Sequence, residues 1–64
     1  MEVPVAEPQS ILGTWRRFGP TGPVYEIVEQ RGSGPNPLMR IRVVESGEEL
    51  DYPLAHILED PQEA

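Results

Sequence analysis

With 64 residues, 11 acidic against 5 basic side chains and a formal charge of −6, the chain has room for one acidic domain and excludes a second folding unit. It has no cysteine and a single histidine, which excludes disulfides and thiolate zinc sites and leaves a histidine-based metal site short of nitrogen ligands. A domain of this size buries only about 60% of the surface its unfolded chain exposes, so without a staple its stability must come from packing or self-association.

Residues 1–9 (MEVPVAEPQ) and 60–64 (DPQEA) carry proline and acid but little bulky apolar content. They are expected to be disordered tails flanking a single small β domain at residues 10–59. The N-terminus has no basic region leading into an apolar one, so it does not read as a signal peptide. No apolar run approaches the roughly 18 residues of a membrane span. Together with the absence of cysteine, this predicts a soluble, cytoplasmic protein. Charge is unevenly placed: residues 1–43 sum to +1 and residues 44–64 to −7, and every basic residue is arginine.

Taken in order, Ile11–Phe18 and Val24–Arg31 are β-rich runs separated by Gly19-Pro20-Thr21-Gly22-Pro23, whose two Gly-Pro steps enforce a loop. They predict a first hairpin with Phe18 opposite Val24, Trp15 opposite Ile27 and Arg16 opposite Glu26. The linker Gly32–Pro37 (GSGPNP) is expected to be an exposed turn, because Pro35 and Pro37 lack the N–H a strand needs. From Leu38 to Glu45, Met39, Ile41 and Val43 alternate with Arg40, Arg42 and Val44. Glu48–Tyr52 alternates again after Ser46-Gly47. A two-residue loop there places Glu45 opposite Glu48, Val43 opposite Leu50, Ile41 opposite Tyr52 and Arg42 opposite Asp51.

After Tyr52 the period changes. Leu54, Ile57 and Leu58 stand at helical spacing, Pro53 suits a first helical position and Asp60-Pro61 ends the run. The predicted fold is therefore mainly β: a four-stranded antiparallel meander curled into a small SH3-like barrel or bent sheet, with one short C-terminal helix over an open end. Its expected core is Trp15, Tyr25, Ile27, Met39, Ile41, Val43, Leu50 and Tyr52. A flat sheet dimerising face to face is the rival.

Chemistry is sparse. No serine sits in a nucleophile elbow, and one histidine would have to serve as any imidazole base. Gly32-Ser33-Gly34-Pro35 leads into a strand rather than the helix a phosphate loop requires, so it reads as a plain turn. Glu48, Glu49 and Asp51 form the densest carboxylate group, yet on a hairpin edge they are expected to be a solvated face. His56 lies off the helical stripe and reads as a surface residue. Neither catalysis nor a cofactor is expected.

What remains is an aromatic and basic constellation, Trp15, Arg16, Arg17, Phe18, Arg40 and Arg42, as the candidate interaction surface. Trp15 and Phe18 have odd spacing, so a regular strand exposes one of them. Over GTWRRFGPTGPVYEI and MRIRVVESGEELDYPLAHILEDP, spanning Leu12–Pro61, the chain resembles a family of short uncharacterised bacterial proteins, a domain of unknown function. The resemblance implies a cytoplasmic bacterial origin and carries no functional residues. The leading expectation is a non-catalytic protein-interaction or regulatory module, binding another protein or itself. The alternative is a small barrel that binds single-stranded nucleic acid, which a charge of −6 without lysine disfavours.

Overall fold

A computed structural model describes residues 8–63. A 3₁₀ turn, Pro8–Ile11, leads to β1 (Trp15–Arg17), β2 (Val24–Gln30), β3 (Leu38–Val43), β4 (Glu49–Pro53), the helix α1 (Leu54–Glu59) and β5 (Gln62–Glu63). The strands form one open antiparallel sheet in the order β4-β3-β2-β1-β5. The mainly β character and the short C-terminal helix are as expected; a fifth strand and an open sheet replace the four-stranded curled meander. Since β4 and β5 occupy opposite edges, the chain between them must cross one face, and α1 makes that crossing. Covering the apolar face with α1 supplies the burial that closure into a barrel would have supplied, so the edges stay apart.

β1 is shorter than the run Ile11–Phe18 that predicted it. Gly13 has φ 82°, and the Thr14 N–H and hydroxyl both donate to the Ile11 carbonyl, so Ile11–Thr14 is a turn. The first hairpin closes on Phe18 and Pro23: the Phe18 N–H donates to the Pro23 carbonyl at 3.1 Å and the Gly22 N–H to the Phe18 carbonyl at 2.9 Å. Its loop is one residue shorter than predicted, and the register slips by one: Trp15 opposes Glu26, Arg16 opposes Tyr25 and Arg17 opposes Val24. Because side chains alternate with period two, that slip exchanges the two faces of β1.

The second hairpin differs by two residues and keeps its faces. The Val43 N–H donates to the Glu48 carbonyl at 2.8 Å and the Gly47 N–H to the Val43 carbonyl at 2.7 Å, so the loop is Val44–Gly47 rather than Ser46-Gly47. Ile41 consequently opposes Leu50, Met39 opposes Tyr52, Arg40 opposes Asp51 and Arg42 opposes Glu49. Between β2 and β3 a bulge at Val28 shifts the register from Ile27–Ile41 to Glu29–Arg40.

Tyr25, Ile27, Met39 and Ile41 point to the covered face and are fully buried; Ile57, Leu54 and Ile11 close over them. Phe18, Leu50 and Tyr52 pack against this cluster. Trp15 and Val43 do not join the core as expected: Val43 is half-buried and Trp15 is 43% exposed, the latter a direct result of the slipped register. In α1, Leu54 and Ile57 are buried as their spacing predicts, while Leu58 faces outward at 42% exposure because a helix this short buries only one turn's worth of contact. Pro53 is the helix N-cap and bears no capping side chain. The linker provides the caps instead: the Pro37 carbonyl accepts the Leu54 N–H at 3.0 Å and Asn36 Oδ1 accepts the Ala55 N–H at 2.9 Å.

The tail expected at residues 60–64 is structured over its described part, since Gln62 and Glu63 pair with Arg16 and Trp15 as β5. Two edge residues are too few for a period to reveal. Most of the tail expected at residues 1–9 lies outside the described residues. Among the described residues no helix is long and apolar enough to cross a membrane.

Candidate functional site

With α1 and the 3₁₀ turn on one face, the other face of the sheet carries no covering element among the described residues. Strand alternation directs Trp15 and Arg17 from β1, Val24 and Glu26 from β2, Arg40 and Arg42 from β3, Glu49 and Asp51 from β4 and Glu63 from β5 onto this open face. Trp15 lies in register between two glutamates, Glu26 on β2 and Glu63 on β5. Toward the loop end of the face, Trp15, Arg17, Pro23, Val24, Val44 and Glu45 line a shallow, open groove of about 400 Å3. The Val44 N–H donates to the Val24 carbonyl at 3.0 Å, which holds the two valines in one row.

Of the six candidate interaction residues, Trp15, Arg17, Arg40 and Arg42 share the open face. Arg16 and Phe18 do not: opposite Tyr25 and Pro23, they point to the covered side. Arg16 Nη1 donates to the Asp60 carbonyl at 3.0 Å, and its Nε is buried without a hydrogen-bond partner among the described residues. Phe18 packs tilted against the Tyr25 ring, with centroids 4.4 Å apart, and meets Tyr52 edge-on at 5.3 Å. Trp15 is thus the exposed member of the oddly spaced aromatic pair.

The arginines of the open face are engaged with carboxylates. Arg17 pairs with Glu63 at 3.2 Å, Arg40 with Asp51 at 3.1 Å and Arg42 with Glu26 at 2.7 Å. Arg31, at the end of β2, reaches Glu29 at 3.5 Å and Asp51 at 3.8 Å. The partners differ from those predicted, since Glu26 serves Arg42 rather than Arg16 and Asp51 serves Arg40 rather than Arg42. Such exposed pairs contribute about 0–1 kcal/mol each. Their larger effect is to neutralise the positive charge of this face.

On the covered side lies a cluster that sequence reading missed. The Asp60 carboxylate accepts the Tyr25 hydroxyl at 2.7 Å, the Tyr52 hydroxyl at 3.2 Å and the Gly19 N–H at 3.3 Å. The Asp60 N–H in turn donates to the His56 and Ile57 carbonyls and closes the helix. Burial, then the hydrogen bond and charge of Asp60, raise the Tyr25 phenol far above its ordinary range. A buried phenol locked as a donor is a poor acid or nucleophile at neutral pH, so the cluster anchors the chain past α1 to the sheet. No local pattern announces it, because Asp60 sits 35 residues from Tyr25.

His56 is exposed, as predicted, with its ring edge-on to Tyr52 at 5.6 Å. Glu48, Glu49 and Asp51 are exposed too. Among the described residues no group of three His, Asp or Glu side chains is placed to hold a metal ion.

The chain belongs to the family of unknown function DUF5397, whose family model matches residues 3–64. No curated protein matches it.

Proposed function

We propose that this member of DUF5397 is a non-catalytic protein-interaction module that docks a partner protein on the open face of its sheet. One observation carries the reading: Trp15, 43% exposed, stands beside the groove of Pro23, Val24 and Val44 on a face that neither α1 nor the 3₁₀ turn covers. A large exposed aromatic next to an apolar groove is the composition of an interface centre, and the paired charges around it resemble a polar rim.

Single-stranded nucleic acid is the second reading, favoured by the shared placement of Trp15, Arg17, Arg40 and Arg42. Against it, each of those arginines already holds a carboxylate, so few counterions remain to be released by a phosphate backbone.

The test is a pull-down from lysate with tagged wild type and Trp15→Ser in parallel, each with and without nuclease. The reading expects a protein that survives nuclease on the wild type and is lost on the variant. Nucleic acid recovered by the wild type, or the same proteins on both baits, would overturn it.

A further inference from the structure

The open face differs from an ordinary mixed-charge surface in what is left unpaired. Among the described residues every arginine is bonded within the chain: Arg17, Arg31, Arg40 and Arg42 to carboxylates and Arg16 to the Asp60 carbonyl. Among the described residues, Glu45, which lines the groove, and Glu49, in register with Arg42 on the open face, hold no ion pair. The open face therefore has an uncompensated negative rim, Glu45 at the loop end of the groove and Glu49 on β4, beside an apolar floor of Val24, Val44 and Pro23.

At the other end of the groove, the Trp15 ring is flanked in register by Glu26 and Glu63. Each gives Oε1 to an arginine of this chain, to Arg42 and Arg17 respectively. With those carboxylates balanced by arginine, the indole face attracts a cation through its ring quadrupole.

From these two features we infer that the occupant of the groove is a short cationic segment of a partner protein, with a lysine or arginine over Trp15 and an adjoining aliphatic side chain between Val24 and Val44. The inference rests on the docking reading above and adds the chemistry of the partner. A second copy of this chain is a poor occupant, because facing copies would bring two acidic rims together on molecules of charge −6. Phosphate-bearing partners meet the same repulsion.

Trp15 is the chain's single tryptophan, so its emission reports occupancy directly. The probes are a blocked cationic peptide, Gly-Lys-Leu-Arg-Leu-Lys-Gly, its acidic counterpart Gly-Glu-Leu-Asp-Leu-Glu-Gly, its neutral counterpart Gly-Gln-Leu-Asn-Leu-Gln-Gly, and an oligothymidylate. The cationic peptide is expected to change Trp15 emission saturably at low salt. Raised salt, or Glu45→Gln together with Glu49→Gln, should weaken it several-fold with far-UV circular dichroism unchanged. Equal binding of the neutral and cationic peptides would overturn the cationic assignment and leave the docking reading standing. Preferential binding of the acidic peptide would overturn the cationic assignment alone, preferential binding of oligothymidylate would overturn both, and failure of all the peptides would overturn the inference.

Discussion

The Tyr25 hydroxyl donates to Asp60 Oδ2 at 2.7 Å, joining the centre of the sheet to the first residue beyond α1. Tyr25 is fully buried, so its hydroxyl has no water to turn to if Asp60 is removed. Through this bond a helix too short to persist alone is held on the sheet, and the chain is aimed toward the β1 edge where β5 forms.

Asp60→Ala is expected to destabilise the fold by about 1–3 kcal/mol, the cost of stranding a buried polar group. Tyr25→Phe removes the same bond from its other end, so the double variant should lose less than the two single losses combined. Chemical denaturation of the four proteins measures the coupling; strictly additive losses would show that the bond is idle.

Alkaline pH should unfold the protein through these tyrosines. Burial first and Asp60 second raise Tyr25 above its ordinary value of 10.0, and Tyr52 is raised by the same two causes. Between the ordinary and the raised pKa the folded state retains protons that the unfolded state has lost. Stability is therefore full below about pH 10 and declines as pH rises beyond it. Tyrosinate absorbance is expected to appear together with loss of far-UV circular dichroism. Ionisation of both tyrosines in a still-folded protein would contradict the account.

Gly22 is expected to be intolerant of a side chain although its φ is not positive. A β-carbon there would collide with the Phe18 carbonyl oxygen and stand 2.8 Å from the Phe18 β-carbon, inside the turn that sets the register of β1. Gly22→Ala should cost at least about 1–3 kcal/mol. Thermal melting checks this, and an unchanged midpoint would count against the closed Phe18–Pro23 turn.

Placing Trp15 outside the core yields a contrast in stability. Ile57→Ala, at a fully buried site under α1, should cost about 2–5 kcal/mol. Trp15→Ser, on the open face, should cost far less, within roughly 1 kcal/mol. Urea midpoints decide it; comparable losses would mean that Trp15 supports the fold rather than a partner.

These contrasts show how far the residues alone could be read. The alternation of Met39, Ile41, Leu50 and Tyr52 disclosed the inner face of β3 and β4 even though the pairing is displaced by two, because a displacement of two preserves sides. In β1 the displacement is one, and it turned Trp15 outward and Arg16 and Phe18 inward. That difference depends on whether Pro23 belongs to the loop or closes it, a hydrogen-bonding detail that composition does not carry. The Asp60 cluster and β5 were illegible for a related reason: each is made by contact across the whole chain, from residues that locally signal only a helix stop.

Shift mapping by nuclear magnetic resonance tests the central claim most directly, with the labelled protein titrated with the partner that the wild-type bait retains and the Trp15→Ser bait loses. The account predicts perturbations concentrated at Trp15, Arg17, Val24, Val44 and Glu45, with Ile57 and the rest of α1 unmoved. Perturbations centred on α1, or on the free edge of β4 with the groove silent, would contradict it.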